Sequence, residues 1–106
     1  MQRAEIVWLA KADVDFQKIY DAVMERWGGS YANRFFEDVE STLERVAIFP
    51  ECGNQVFDPV RRVLIVDGRY GIFYKPEMTR VVIIGIEDLR QNPSRIIQNL
   101  GIRDTT

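Results

Sequence analysis

The chain contains no histidine, which removes the side chain that most often carries protons near neutral pH. With Cys52 as the sole cysteine, an internal disulfide is impossible and a cysteine–histidine nucleophile is excluded. A free thiol is the ordinary state of such a residue, and it suits a reducing cytoplasm. The carboxylates are scattered over helix faces with no histidine or second cysteine beside them, so neither a metal nor a cofactor is expected. Long apolar runs are also missing. The longest, Val63–Val66 and Val81–Ile86, fall far short of the ~20 residues that cross a membrane. The opening stretch, Met1 to Leu9, carries Arg3 and Glu5 and lacks the apolar centre of a signal peptide, so no secretion signal is expected. Repeats and low-complexity segments are absent, and 106 residues fit a single domain, 1–106.

What is present is unevenly spread. The formal charge of −2 hides two halves of opposite sign. Residues 1–59 hold 6 Lys/Arg against 11 Asp/Glu, whereas residues 60–106 hold 8 against 5, and seven of those eight cations are arginines. A basic half on an acidic protein suits a local polyanion or an acidic partner, although a solvated surface has the same composition.

Periodicity sets the fold. Ala4–Leu9, rich in Ile, Val and Trp, reads as a strand. The spacing of Phe16, Ile19, Tyr20, Val23, Met24 and Trp27 predicts a helix over 12–27 with one buried stripe, and Gly28-Gly29 ends it. Ser30 is placed to cap a second helix over 31–49, with Ala32, Phe35, Phe36, Val39, Leu43, Val46 and Ala47 inward and Pro50 as the stop. Trp8 and Trp27 read as core. The period then changes. Glu51–Pro59 reads as a loop and Val60–Val66 as a strand. Asp67-Gly68 reads as a two-residue hairpin turn and Arg69–Lys75 as the returning strand. Arg80–Ile86, almost all β-branched, is expected at the centre of the sheet. In the tail, Asn92-Pro93-Ser94 opens a short helix carrying Ile96, Ile97 and Leu100, which Gly101 ends. The fold class is α+β in the order β-α-α-β-β-β with a short C-terminal helix. The helix hairpin lies on one face of an antiparallel sheet, which buries both apolar stripes.

Several local signatures in this order resemble the RelE/ParE toxins of type II toxin–antitoxin systems. Val7-Trp8, Ala12 and the run from Asp13 to Tyr20 are similar to the family's first strand and helix. Phe36 to Phe49-Pro50 followed by Gly53 resembles its second helix and the glycine after it. Arg61-Arg62, Tyr70 to Tyr74, and Val82 to Ile86 leading to Arg90-Gln91-Asn92-Pro93 resemble its C-terminal sheet and tail. The resemblance runs from Ile6 to Pro93. It implies a cytoplasmic, growth-inhibiting toxin of a plasmid-stabilisation type, held inactive by a cognate antitoxin. No membrane partner and no sequence-specific DNA binding by the toxin alone are implied. Its target is DNA gyrase if the chain is ParE-like and the ribosome if it is RelE-like.

The two branches ask different things of the residues. Cutting RNA needs a base for the 2′-hydroxyl, an acid for the leaving oxygen and cations for the phosphorane. RelE-like members use lysines, arginines and a tyrosine, and the corresponding candidates here are Arg61, Arg62, Lys75, Arg80, Arg90 and Tyr70, with Tyr74 a second possible proton donor. Arginine stabilises charge but is a poor base, which leaves Lys75. The lysine-rich segment that RelE carries before the sheet is replaced by Glu51–Pro59, which has no lysine, and Asp88-Leu89-Arg90 lacks the histidine or tyrosine of many nucleolytic members. These departures favour a ParE-like binding toxin. The alternatives are a ribosome-dependent endoribonuclease and a non-toxic, partner-binding member of the family. Arg61 and Arg62 point to opposite faces of their strand, so at most one joins Lys75, and Tyr70 and Tyr74 share the face of Ile72, where a core role competes with a site role. An antitoxin's acidic or amphipathic segment is expected on the basic half or on an exposed edge strand.

Overall fold

A computed structural model describes residues 2–101. The elements are β1 (Glu5–Trp8), α1 (Ala10–Trp27), α2 (Gly29–Ile48), β2 (Asn54–Phe57), β3 (Val60–Ile65), β4 (Tyr70–Pro76), β5 (Arg80–Asp88) and α3 (Pro93–Asn99). They form one five-stranded sheet in the order β1-β5-β4-β3-β2. Three of its four contacts are antiparallel, and β1 alone runs parallel to β5. A parallel pair needs a long crossover, which the helix hairpin and the β2–β4 meander supply. β4 is the middle strand, and β5 lies next to it with a neighbour on each side, the interior position that its β-branched run predicts.

Two corrections concern the connections. The segment read as a loop over 51–59 contains β2, an edge strand paired antiparallel to β3 through Asn54↔Arg62 and Gln55↔Arg61, with an irregularity before Phe57. Its Asn and Gln gave no alternating apolar signal, because an edge strand needs little burial. The β3–β4 connection keeps the expected Asp67-Gly68 turn at its tip, where the Arg69 N–H donates to the Val66 carbonyl at 3.0 Å. Val66 and Arg69, read as strand, lie outside the pairing, which ends at Ile65 and Tyr70. Val66 and Asp67 both have φ 53° and Gly68 has φ 86°. A β-branched residue rarely adopts that conformation. Here Val66 packs against the core and its N–H donates to Asp38 Oδ2 at 2.7 Å, so tertiary contacts hold what local preference opposes.

The helix hairpin bends at Gly28, whose φ of 92° only glycine adopts freely. Gly28, not Ser30, is the N-cap of α2, and no side-chain cap bond forms there. α2 buries Ala32, Phe35, Val39, Leu43, Val46 and Ala47 as its stripe predicts. Phe36, Met24 and Trp27 were expected in the stripes and are instead partly exposed. Each sits at a margin of its stripe, where a 3.6-residue period carries side chains off the buried face. Trp8 is half-buried and packs edge-on to Phe16 at 6.0 Å.

The sheet buries both faces. On one, the hairpin covers Val63, Ile65, Ile72, Tyr74, Val81 and Ile83. On the other, α3 covers Val60 and Phe73 with Ile96 and Leu100. Asn92 caps α3 by accepting from the Ser94 N–H at 2.8 Å. Glu87, almost wholly buried, joins three elements: it accepts from Lys11 Nζ of α1 at 3.0 Å, from Gln91 Nε2 at 3.0 Å and from Asn99 Nδ2 of α3 at 2.9 Å. Lys11 also pairs with Asp15, whose carboxylate accepts the Ile86 N–H at 3.1 Å. Burial pulls the Lys11 pKa down, but its two carboxylate partners more than reverse this, and it lies above the ordinary lysine value. No described helix is long and apolar enough to cross a membrane.

Candidate functional site

The basic residues singled out from the sequence are set apart by the register of the sheet. Arg61 is opposite Tyr74 on the hairpin face, and Arg62 is opposite Phe73 on the α3 face. Arg61 is committed to structure: its guanidinium donates to the carbonyls of Glu51 at 3.2 Å and Gly53 at 2.7 Å. Arg62 lies flat across Gly71, where an added Cβ would meet its Cδ at 3.0 Å, and its Nε is buried without a partner among the described residues. Lys75 and Arg80 meet at the β4–β5 turn, and both bind Glu77, at 3.7 and 2.5 Å. The Arg80 contact holds the Glu77 carboxyl below its ordinary pKa and raises that of Arg80. Arg90 lies beyond the opposite end of β4, bound through two nitrogens to Asp88 at 3.0 and 2.7 Å. That contact lowers the Asp88 pKa and raises that of Arg90.

The tyrosines divide as well. Tyr74 is fully buried. Its hydroxyl donates to the Pro50 carbonyl at 2.8 Å and accepts the Gly53 N–H at 2.9 Å. Burial pushes its pKa up to about 12. Both functions of the hydroxyl are consumed in pinning the α2–β2 connection. Tyr70 is buried against Phe35, but its edge reaches the surface beside Arg69, whose guanidinium lies 5.9 Å from the ring centre.

Around Tyr70 the structure forms a concavity that the charge count did not indicate. It has two lobes, of about 840 and 590 Å³, which share Val23, Trp27, Arg69 and Tyr70. The first lobe lies between α2 and the β3–β4 turn, floored by Phe35 and bordered by Tyr31, Arg34 and Asp38. The second runs along α1 past Lys18, Ala22 and Arg26 to Asp88 and Arg90. Trp27 and Tyr31, on either side of the Gly28-Gly29 bend, are 52% and 53% exposed with ring centres 6.0 Å apart. Aromatics flanking a glycine pair at a hairpin tip were the available sequence signal. Assigning Trp27 to the core concealed it.

A helix hairpin on a five-stranded sheet has a solved counterpart. A structure described as the chromosomal ParDE TA system from P. aeruginosa matches with a TM-score of 0.69 at 17% identity, over 81% of this chain and 96% of that one, a likeness of fold. The family model for the ParE toxin of type II toxin-antitoxin system, parDE, matches residues 6–93, the span that carries the sequence signatures. The chain belongs to the ParE toxin family, and membership implies an antitoxin partner. No curated protein matches it in sequence.

Proposed function

We propose that this toxin arrests growth by binding DNA gyrase in the cytoplasm, and that its arginines serve contact surfaces rather than a nuclease centre. The observation that carries this reading is the separation of the candidate catalytic groups. Lys75 and Arg80 share Glu77 at one end of the sheet, while Arg90 is bound to Asp88 at the other. Arg61 and Arg62 face opposite sides. The Tyr74 hydroxyl is sealed between Pro50 and Gly53. Phosphodiester cleavage asks for a proton carrier within hydrogen-bond reach of the reacting oxygens and cations converging on one phosphate. Of the candidates, only Tyr70 and Arg90 line one concavity, and the spread of the rest supports a binding toxin over a ribonuclease.

The test pairs two assays on the same purified protein: gyrase supercoiling of relaxed plasmid, and message integrity on translating ribosomes. Blocked supercoiling with intact message is the expected result. Message cut within ribosomes while gyrase runs unimpeded would overturn the reading and return attention to Lys75 and Tyr70.

A further inference from the structure

The two lobes of the groove at the hairpin tip, unused by the reading above, differ in chemistry. The second brings Lys18, Arg26, Arg69 and Arg90 together against two acids, Glu25 and Asp88, on a chain whose net charge is −2. Asp88 is already bound by Arg90, and Lys18, Arg26 and Arg69 make no ion pair with any described residue. Lys18 and Arg26 stand just over two turns apart on α1, about 12 Å along its axis, so a lone carboxylate or monophosphate meets only one of them. A chain of phosphates carries charge along that row. Arg69 stands where the lobes meet. Its Nε is buried and has no acceptor among the described residues, a costly arrangement that a ligand oxygen relieves. The guanidinium fork matches the oxygens of phosphate.

The first lobe has the size and the walls for a flat ring. Its volume of about 840 Å³ lies within the roughly 300–1,000 Å³ of small-ligand sites. Phe35 and Tyr70 lie behind, and Trp27 and Tyr31 stand half-exposed with ring centres 6.0 Å apart. Exposed aromatic rings beside a cationic groove are the arrangement on which nucleobases stack. Glu37 and Asp67 also line this lobe, and carboxylates accept hydrogen bonds but donate none. They select a ring edge rich in N–H donors. Guanine, with a ring N–H beside an amino group, offers one, whereas uracil flanks its single N–H with two carbonyls.

We infer that this groove binds a nucleoside di- or triphosphate, its base in the first lobe against Trp27 and its phosphates along the second, with one phosphate oxygen on Arg69 and guanine as the preferred base. The inference is independent of the gyrase reading. Neither Arg61, held by two backbone carbonyls, nor Arg62, on the far face of the sheet, belongs to this site.

The experiment is titration calorimetry of the full-length protein in phosphate-free buffer at low salt, with guanosine triphosphate, guanosine, uridine triphosphate and inorganic tripolyphosphate as separate probes. Guanosine triphosphate should bind at one site per chain. Guanosine and tripolyphosphate each offer half of the contacts and should bind at least about 10-fold more weakly. Uridine triphosphate should lose about 10-fold through its carbonyls. Arg69→Gln and Trp27→Ala should each weaken guanosine triphosphate by roughly 10-fold or more. Arg3→Gln removes an equal charge at the other end of the hairpin and should change affinity by less than about 2-fold. Ala22 is an exposed position lining the second lobe, so neither polar replacement disturbs the core. Ala22→Glu should weaken binding, whereas Ala22→Lys should not. Thermal unfolding of each variant without probe separates lost contacts from lost structure, and the nucleotide should raise the wild-type midpoint more than that of Arg69→Gln. Absence of both heat and a midpoint shift with guanosine triphosphate at about 1 mM would overturn the inference. So would tripolyphosphate binding as tightly as the nucleotide, because the aromatic lobe would then contribute nothing. A single strand of RNA or DNA binding more than about 10-fold tighter than the nucleotide, and lost with the same variants, would overturn the nucleotide assignment in favour of a strand.

Discussion

Replacing Tyr74 with phenylalanine keeps the ring and removes one oxygen, so it isolates the latch between β4 and the α2–β2 connection. The ring is fully buried and leaves no cavity when kept. What is lost is a bond to the Gly53 N–H at 2.9 Å and a bond to the Pro50 carbonyl at 2.8 Å. Gly53 is buried, so its N–H finds no water in exchange, and a buried donor left unpaired costs about 1–3 kcal/mol. Pro50 is only half-buried, and its carbonyl recovers part of its loss by hydration. The expected cost is about 2 kcal/mol, or a fall in unfolding midpoint of about 10 °C for a domain of this size. Urea unfolding should show a lower midpoint with an unchanged slope, since the surface exposed on unfolding stays the same. Gly53→Ala tests the same latch from the other side. An added Cβ would stand 2.6 Å from the Tyr74 hydroxyl and 2.8 Å from the Arg62 carbonyl. Removing the hydroxyl relieves the first clash and leaves the second. The double variant should therefore be less destabilised than the sum of the two singles. A Tyr74→Phe protein within about 0.5 kcal/mol of the wild type would refute the reasoning, because it would mean that neither backbone group depends on the hydroxyl.

Alkaline pH should reach the same latch. The Tyr74 pKa is pushed up to about 12 in the fold, so the folded state holds this proton after the unfolded chain has released it. The stability it contributes is complete below about pH 10, the ordinary tyrosine value, and is lost as pH rises through 12. Unfolding midpoints measured across that window should fall less steeply for Tyr74→Phe than for the wild type. Glu87→Ala removes the hub shared by α1 and α3 and should cost about 1–3 kcal/mol. Hydrogen exchange should show its earliest loss of protection in the amides of α3. Asp38→Ala frees the Val66 N–H and should destabilise the β3–β4 turn by about 1 kcal/mol, whereas Asp38→Asn keeps the accepting oxygen and should retain most of the stability in the same urea titration.

Most of the architecture was legible because amphipathic period and glycine placement are local signals. The stripe of α2, the break at Gly28 and the β-branched run of β5 each name their element without reference to the rest of the chain. The features that were not legible depend on distant partners. Nothing within 54–57 announces a strand until β3 is beside it. The turn at Asp67-Gly68 forms as expected, but Asp38, 28 positions before Val66, takes the Val66 N–H and keeps it from pairing across the strands. Local preference fixed the turn at Asp67-Gly68, and a tertiary hydrogen bond ended the strand pairing one residue short on each side of it.

The same distinction governs the surface. A run of arginines in sequence order suggests a cluster, but the pleat sends neighbours to opposite faces, and the length of β4 carries Tyr70 and Lys75 to opposite ends of the sheet. The cations that do share a concavity come from α1 and from the β3–β4 turn: Lys18, Arg26 and Arg69. Two of the three lie in the half of the chain whose net charge is acidic, so an average over halves masked them. Of the α2 carboxylates that offset them in the count, Glu44 is committed to Arg3 and Asp38 to a backbone N–H, while Glu37 lines the first lobe and not the second. Net charge by segment therefore says little about where a partner docks on this fold. What matters is which cations remain without an internal carboxylate once the helices are laid on the sheet. By that criterion the hairpin tip is favoured over the β4–β5 turn, where Glu77 already holds both Lys75 and Arg80.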